Sequence, residues 1–179
     1  MKEYIFGYLV NNKQTLMCAP DEVAESYGRL LLTLAMYPGT VEEDFLLPTL
    51  FEFYTAYSSS EKKLINPILG DAMRLLIVQW EKAGRREHEI EKMTKLFEEM
   101  CKDRNSRLRG AGIRGMTTVG NTKWGQKNCC DRIVNLIAEI NKYPVEPEHS
   151  EDLAWLCYLI VIYLLPYRLV CLIILLQNY

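Results

Sequence analysis

Residues 90 to 103 read IEKMTKLFEEMCKD, and this stretch carries the clearest signal for secondary structure in the chain. Ile90, Met93, Phe97 and Met100 recur at spacings of three, four and three residues, which places them on one face of an α-helix. Glutamates and lysines occupy most of the positions between them. The stretch therefore predicts an amphipathic helix that packs through its apolar face.

Apolar residues return at helical spacing elsewhere in the chain. The clearest further stretches are residues 20 to 37, 71 to 83 and 131 to 143, and proline or glycine lies at or next to the end of each. Residues 1 to 19 differ, because two short apolar runs flank an Asn-Asn-Lys turn, a pattern that favours a β-hairpin. We predict a mainly α single domain over residues 1 to 150, with about five to seven helices and this hairpin at its start.

The C-terminal segment LAWLCYLIVIYLLPYRLVCLIILL, residues 153 to 176, has 24 positions and one formal charge, Arg168. At about 1.5 Å per residue, a continuous helix of this length would cross the roughly 30 Å hydrocarbon core of a bilayer. Pro166 divides the segment into runs of 13 and 10 residues, which are typical lengths for buried core helices. We predict a very apolar helix or helix pair within residues 151 to 179, either buried or membrane-associated.

The cysteines and histidines indicate neither a metal site nor a disulfide framework. The six cysteines show no Cys-x-x-Cys spacing, and the N-terminus does not read as a secretory signal, so we expect reduced thiols and a cytoplasmic protein, with membrane association through residues 153 to 176 as the alternative. No hydrolase or metalloprotease motif occurs around the two histidines. We predict no catalytic residue, metal or cofactor. A Cys-His pair from distant segments, such as Cys129 with His149, is the alternative for an enzyme.

Residues 104 to 130, RNSRLRGAGIRGMTTVGNTKWGQKNCC, stand out by charge. They contain six basic side chains and no acid, although the whole chain has 21 basic and 23 acidic residues and a net charge of -2. Such a concentration of positive charge indicates a negatively charged partner. Because glycine recurs through the segment, we predict a basic, Gly-rich surface loop.

The glycines of this segment resemble two nucleotide-binding motifs without satisfying either. Gly110, Gly112 and Gly115 have the spacing GxGxxG, but no strand precedes them and no βαβ pattern surrounds them. Two overlapping stretches match the glycine spacing of a phosphate loop, yet Met116 and Asn121 stand where that loop has lysine. The sequence therefore predicts no dinucleotide or nucleoside triphosphate site here.

Seven residues of the segment are the candidates for anion binding, since basic groups bind phosphate or carboxylate and an indole ring offers a stacking face. They are Arg104, Arg107, Arg109, Arg114, Lys123, Trp124 and Lys127. We predict a non-enzymatic binding or regulatory protein that engages nucleic acid or an acidic protein surface, with a protein partner or further copies of itself as additional contacts. The alternatives are a tail-anchored or oligomeric membrane protein acting at the cytoplasmic face, and an enzyme with a dispersed Cys/His site.

Overall fold

The computed structural model describes residues 2–37, 43–58, 65–83 and 87–140, and a few positions beyond them: 142, 147, 150, 151, 154 and 157. Eight α-helices lie within the described residues: α1 (Lys2–Met17), α2 (Asp21–Met36), α3 (Glu43–Ser58), α4 (Asn66–Ala83), α5 (Glu87–Cys101), α6 (Ser106–Gly120), α7 (Lys123–Asn128) and α8 (Cys130–Ile140). This described part contains no β-strand, so the mainly α class is confirmed.

The predicted N-terminal hairpin is wrong, because residues 2–17 form the helix α1. Leu9 and Leu16, two helical turns apart, are both buried, and this spacing suits a helix rather than an alternating strand. The asparagines that suggested a turn are accommodated within the helix, where the Asn12 side chain donates to the Tyr8 carbonyl at 2.9 Å. Burial of the leucine side of α1 therefore outweighs the local turn preference.

The helices form two compact units, residues 1–79 and 80–179. In the first, Tyr27 of α2 meets Phe53 of α3 with ring centroids 4.9 Å apart, and Phe53 meets Tyr57 at 5.5 Å. Gly28 brings α2 close to the start of α4, since a Cβ there would lie 3.1 Å from the side chain of Ile65. An aromatic cluster and a close helix contact thus organise the core of this unit.

In the second unit, the predicted apolar face of α5 is confirmed: Ile90, Met93, Phe97 and Met100 are all buried. Their partner is α6, which begins at the N-cap Asn105, where the side chain accepts the N–H of Leu108 at 3.2 Å. Residues 106 to 120 therefore form a helix in the segment for which we predicted a loop.

The glycines of α6 explain this difference. A Cβ at Gly112 would lie 2.6 Å from the backbone nitrogen of Cys101 and 2.8 Å from the Phe97 carbonyl oxygen, and a Cβ at Gly115 would lie 2.3 Å from the Phe97 ring. All three distances are below the separation of non-bonded atoms, so only glycine permits this approach. The GxGxxG spacing serves helix packing rather than nucleotide binding.

The C-terminal prediction lies almost entirely outside the described residues. Of the segment 153–176, only Ala154 and Cys157 are described, so the predicted apolar helix or helix pair within residues 151 to 179 stays a prediction. Among the residues that are described, no helix combines the length and the apolar character needed to cross a membrane.

The different surroundings of Gly112 on α6 and Gly7 on α1 predict opposite effects when each glycine is replaced by alanine. Gly112→Ala should lower the free energy of unfolding by about 1–3 kcal/mol, because the added methyl group meets backbone atoms that have little room to move. Gly7→Ala is the matched control within a helix, since no atom of the described residues lies within 4 Å of its Cβ position, and it should be neutral or stabilise by up to about 1 kcal/mol. Urea unfolding followed by circular dichroism measures both, and similar shifts of the two midpoints would contradict the packing role.

Candidate anion-binding surface

The structure distributes the seven predicted anion-binding residues over two helices and the turn before them. Arg107, Arg109 and Arg114 lie on α6, and Arg104 lies just ahead of its N-cap. The other three form part of α7: Lys123, Trp124 and Lys127. Six of the seven residues are therefore held by regular helices, which fixes the directions of their side chains more firmly than a loop would.

Two of the α6 arginines share one side of the helix. Arg107 and Arg114 are seven residues apart, which is about two turns and about 10 Å along the axis. Arg107 is exposed, Arg114 is half-buried, and Arg104 is exposed ahead of the N-cap. We call Arg104, Arg107 and Arg114 the α6 patch. Asp103 is the nearest acid in sequence, and its carboxylate accepts the N–H of Asn105 at 2.7 Å.

Arg109 is not part of this patch, because it is buried. Its side chain is almost fully buried, and Nη1 donates to the carbonyl oxygens of Asp103 at 3.1 Å and Arg104 at 2.7 Å. These carbonyls belong to the connection between α5 and α6, so the buried guanidinium stabilises that connection through hydrogen bonds. We therefore assign Arg109 a structural role, unlike the anion-binding role that the sequence suggested.

The second group lies on α7, and we call Lys123, Trp124 and Lys127 the α7 patch. Lys123 and Lys127 are exposed and one turn apart, and Trp124 is partly exposed beside them. On the opposite side of α7, Gly125 lies against α6, because a Cβ there would lie 1.9 Å from the carbonyl oxygen of Val119. The packing of Gly125 thus turns both lysines away from α6.

Two oxygen acceptors anchor the first turn of α7. The hydroxyl of the N-cap Thr122 accepts the N–H of Gly125 at 2.9 Å. The carboxylate of Glu81 accepts the backbone N–H of Lys123 at 2.8 Å. Glu81 therefore places one negative charge near the start of the α7 patch. The sequence does not show this, because Glu81 and Lys123 are 42 residues apart.

Arg132 on α8 is a basic residue of this unit that binds acidic side chains of another helix. Its Nε and Nη2 donate to the two carboxylate oxygens of Glu98 at 2.7 and 3.1 Å, and Nη1 donates to Glu91 at 2.8 Å. The hydrogen bonds with Glu98, and then those with Glu91, raise the pKa of Arg132 above its usual range. This bidentate network ties α8 to α5. Sequence patterns do not reveal this network, because the partners of Arg132 are 34 and 41 residues away.

The exposed basic residues of the two patches lack such partners. Within the part of the chain that the structure describes, the side chains of Arg104, Arg107, Lys123 and Lys127 form no ion pair. Lys142, by contrast, pairs with Glu139 at 2.7 Å although both are exposed. The charges of these four residues are therefore available to an external anion.

The thiol of Cys129 is poorly suited to the alternative of a Cys/His enzyme. Burial raises its pKa to about 11, and the nearby Arg132 offsets this only in part. Burial also raises the pKa of Cys101 well above its usual range. His149 lies outside the described residues, and the described ones contain no group of three side chains suited to hold a metal ion. A protonated thiol is a weak nucleophile, so the geometry gives no support to catalysis at Cys129.

Comparison with protein-family models, with curated proteins and with solved structures finds no match to this chain. Similarity to other proteins thus contributes nothing to the assignment. The charges and contacts of the described residues are what indicate a function.

The Arg132 network predicts a large difference between two salt bridges of the second unit. Arg132→Ala should lower the free energy of unfolding by about 1–3 kcal/mol, because it leaves the partly buried Glu98 without a cation and Glu91 with Lys95 alone. Lys142→Ala removes an exposed pair and should cost less than about 1 kcal/mol. Urea titration of both variants provides the measurement. Equal and small losses would show that the network contributes little to stability.

The buried cysteines predict selective thiol labelling. In the folded protein at about pH 8, iodoacetamide should modify the exposed Cys18 and leave Cys101 and Cys129 unmodified, since burial restricts access and keeps the thiols protonated. The modification of Cys129 should increase only as the pH approaches about 11, where its thiolate forms. Peptide mass spectrometry locates the label. If Cys129 is modified as fast as Cys18 at about pH 8, the prediction is wrong and Cys129 is again a candidate nucleophile.

Proposed function

We propose that this chain is a non-enzymatic binding protein that engages an anionic macromolecule through the α6 and α7 patches. The observation that carries the proposal is the set of exposed basic side chains without an ion-pair partner among the described residues: Arg104, Arg107, Lys123 and Lys127. They belong to a segment of 27 residues without a single acid, in a chain whose net charge is -2. A local positive field on a mildly acidic protein favours association with a polyanion and disfavours association with cationic surfaces.

The physical basis of this binding would be the release of counterions. A polyanion such as nucleic acid carries condensed cations, and each basic group that contacts it displaces about one of them. The observed binding constant then falls as salt concentration rises, with a slope that follows the number of contacts. Four exposed basic residues are enough for binding at low salt that weakens steeply as ionic strength increases.

The proposal predicts that reversing two charges of the α6 patch weakens binding. The variant Arg104→Glu/Arg107→Glu should bind a labelled single-stranded oligonucleotide of about 16 nucleotides at least about tenfold more weakly than the unmodified chain at low salt, and its salt dependence should be shallower by about two contacts. Fluorescence anisotropy across a salt series measures both quantities. A poly-glutamate probe in the same assay represents an acidic protein surface.

Arg29→Glu is the control for a charge reversal outside the patches, because Arg29 is exposed on α2, where it pairs with Glu25 at 2.7 Å. This control should retain most of the affinity. Arg109 is left unchanged, since its substitution would disturb the connection between α5 and α6. If the unmodified chain binds neither probe at low salt, or if the double variant retains its affinity and salt dependence, the proposal is wrong.

A further inference from the structure

The α7 patch combines a stacking surface with two cations on one side of a short helix. From the rotation of about 100° per residue, Lys123, Lys127 and Trp124 fall within about 100° of the helix circumference. Gly125 on the opposite side packs against α6, so the patch faces outward. Trp124 is partly exposed, and both lysines are exposed. Cations flanking an aromatic face are the features with which proteins hold the phosphates and one base of an unpaired strand.

Several polar side chains of α6 and α7 form hydrogen bonds within their own helices. The hydroxyls of Thr117 and Thr118, which follow Arg114 on α6, donate to the carbonyl oxygens of Ile113 at 2.9 Å and Arg114 at 3.0 Å. The amide of Asn128 on α7 donates to the Trp124 carbonyl at 2.8 Å. These three donors are therefore used within their own helices, whereas the charges of Lys123 and Lys127 and the partly exposed Trp124 are available to a ligand.

We infer that the macromolecule bound at this surface is single-stranded nucleic acid, with the Trp124 ring stacked on a base while Lys123 and Lys127 contact adjacent phosphates. The inference rests on the proposed function and specifies its partner. In a duplex, both faces of each base are covered by neighbouring bases, so a ring on a helix surface has nothing to stack on. The carboxylates of an acidic protein would engage the lysines but gain little from an indole face. Binding should tolerate changes of base sequence, because every base has a π-face.

The test compares three labelled probes with the unmodified chain and with variants of Trp124. The probes are a single-stranded oligonucleotide of about 16 nucleotides, the same sequence as a duplex, and poly-glutamate. The unmodified chain should bind the single strand most tightly. Trp124→Ala should weaken binding of the single strand about tenfold, while Trp124→Phe, which keeps an aromatic ring, should stay within about threefold. Binding of the duplex and of poly-glutamate should change little in either variant.

A loss of folding is separated from a loss of stacking by two measurements. Trp124→Leu keeps apolar volume without a ring, so it should match Trp124→Ala in binding and the unmodified chain in its circular dichroism spectrum. Equal binding of single strand and duplex, or unchanged single-strand affinity in Trp124→Leu, would overturn the inference and leave the proposed function standing. Tighter binding of poly-glutamate would point to an acidic protein instead. If the unmodified chain binds none of the three probes, both the inference and the proposed function are wrong.

Discussion

The close approach of α6 to α5 determines which side chains of the second unit face solvent. Gly112 and Gly115 present no side chain toward Phe97, so the two backbones meet at distances that any other residue would prevent. This contact fixes the rotation of α6 about its axis. Because each residue turns the helix by about 100°, Arg107 is directed outward and Arg109, two residues later, inward. The glycine contact thereby leaves Arg107 exposed and available for binding, whereas Arg109 is buried and donates hydrogen bonds to the connection between the helices.

Two acids of α5, Glu91 and Glu98, are paired with basic residues outside the patches. Glu98 binds Arg132 through both carboxylate oxygens, and Glu91 is shared between Arg132 and Lys95. An arginine held by two carboxylates in this way offers little attraction to an external anion. The same unit thus contains two kinds of basic residue: one that joins helices through specific partners, and one without an ion-pair partner in the described part of the chain.

Local periodicity was sufficient to predict the apolar faces of α5 and α8, since Phe97 and Ile133 belong to patterns confined to a few turns. The helix α6 could not be predicted in this way. Glycine costs about 1 kcal/mol per residue in a helix relative to alanine, and the compensating contact with Phe97 comes from another element. Likewise, the hydrogen bonds of Arg109 depend on where α5 ends. The basic surface was recognisable from composition alone, whereas the exclusion of Arg109 from it required the fold.

The groups of the second unit divide by whether they can change protonation near neutral pH. Burial keeps the Cys129 thiol protonated to about pH 11, and Arg132 is held in its charged form by two glutamates. The arginines of the α6 patch carry a permanent charge, because guanidinium does not lose its proton in proteins. A surface of this kind has little capacity for acid-base catalysis, and its attraction to anions is screened by salt rather than switched by protons. Ionic strength, more than pH, is therefore the solution variable that should control binding at the α6 patch.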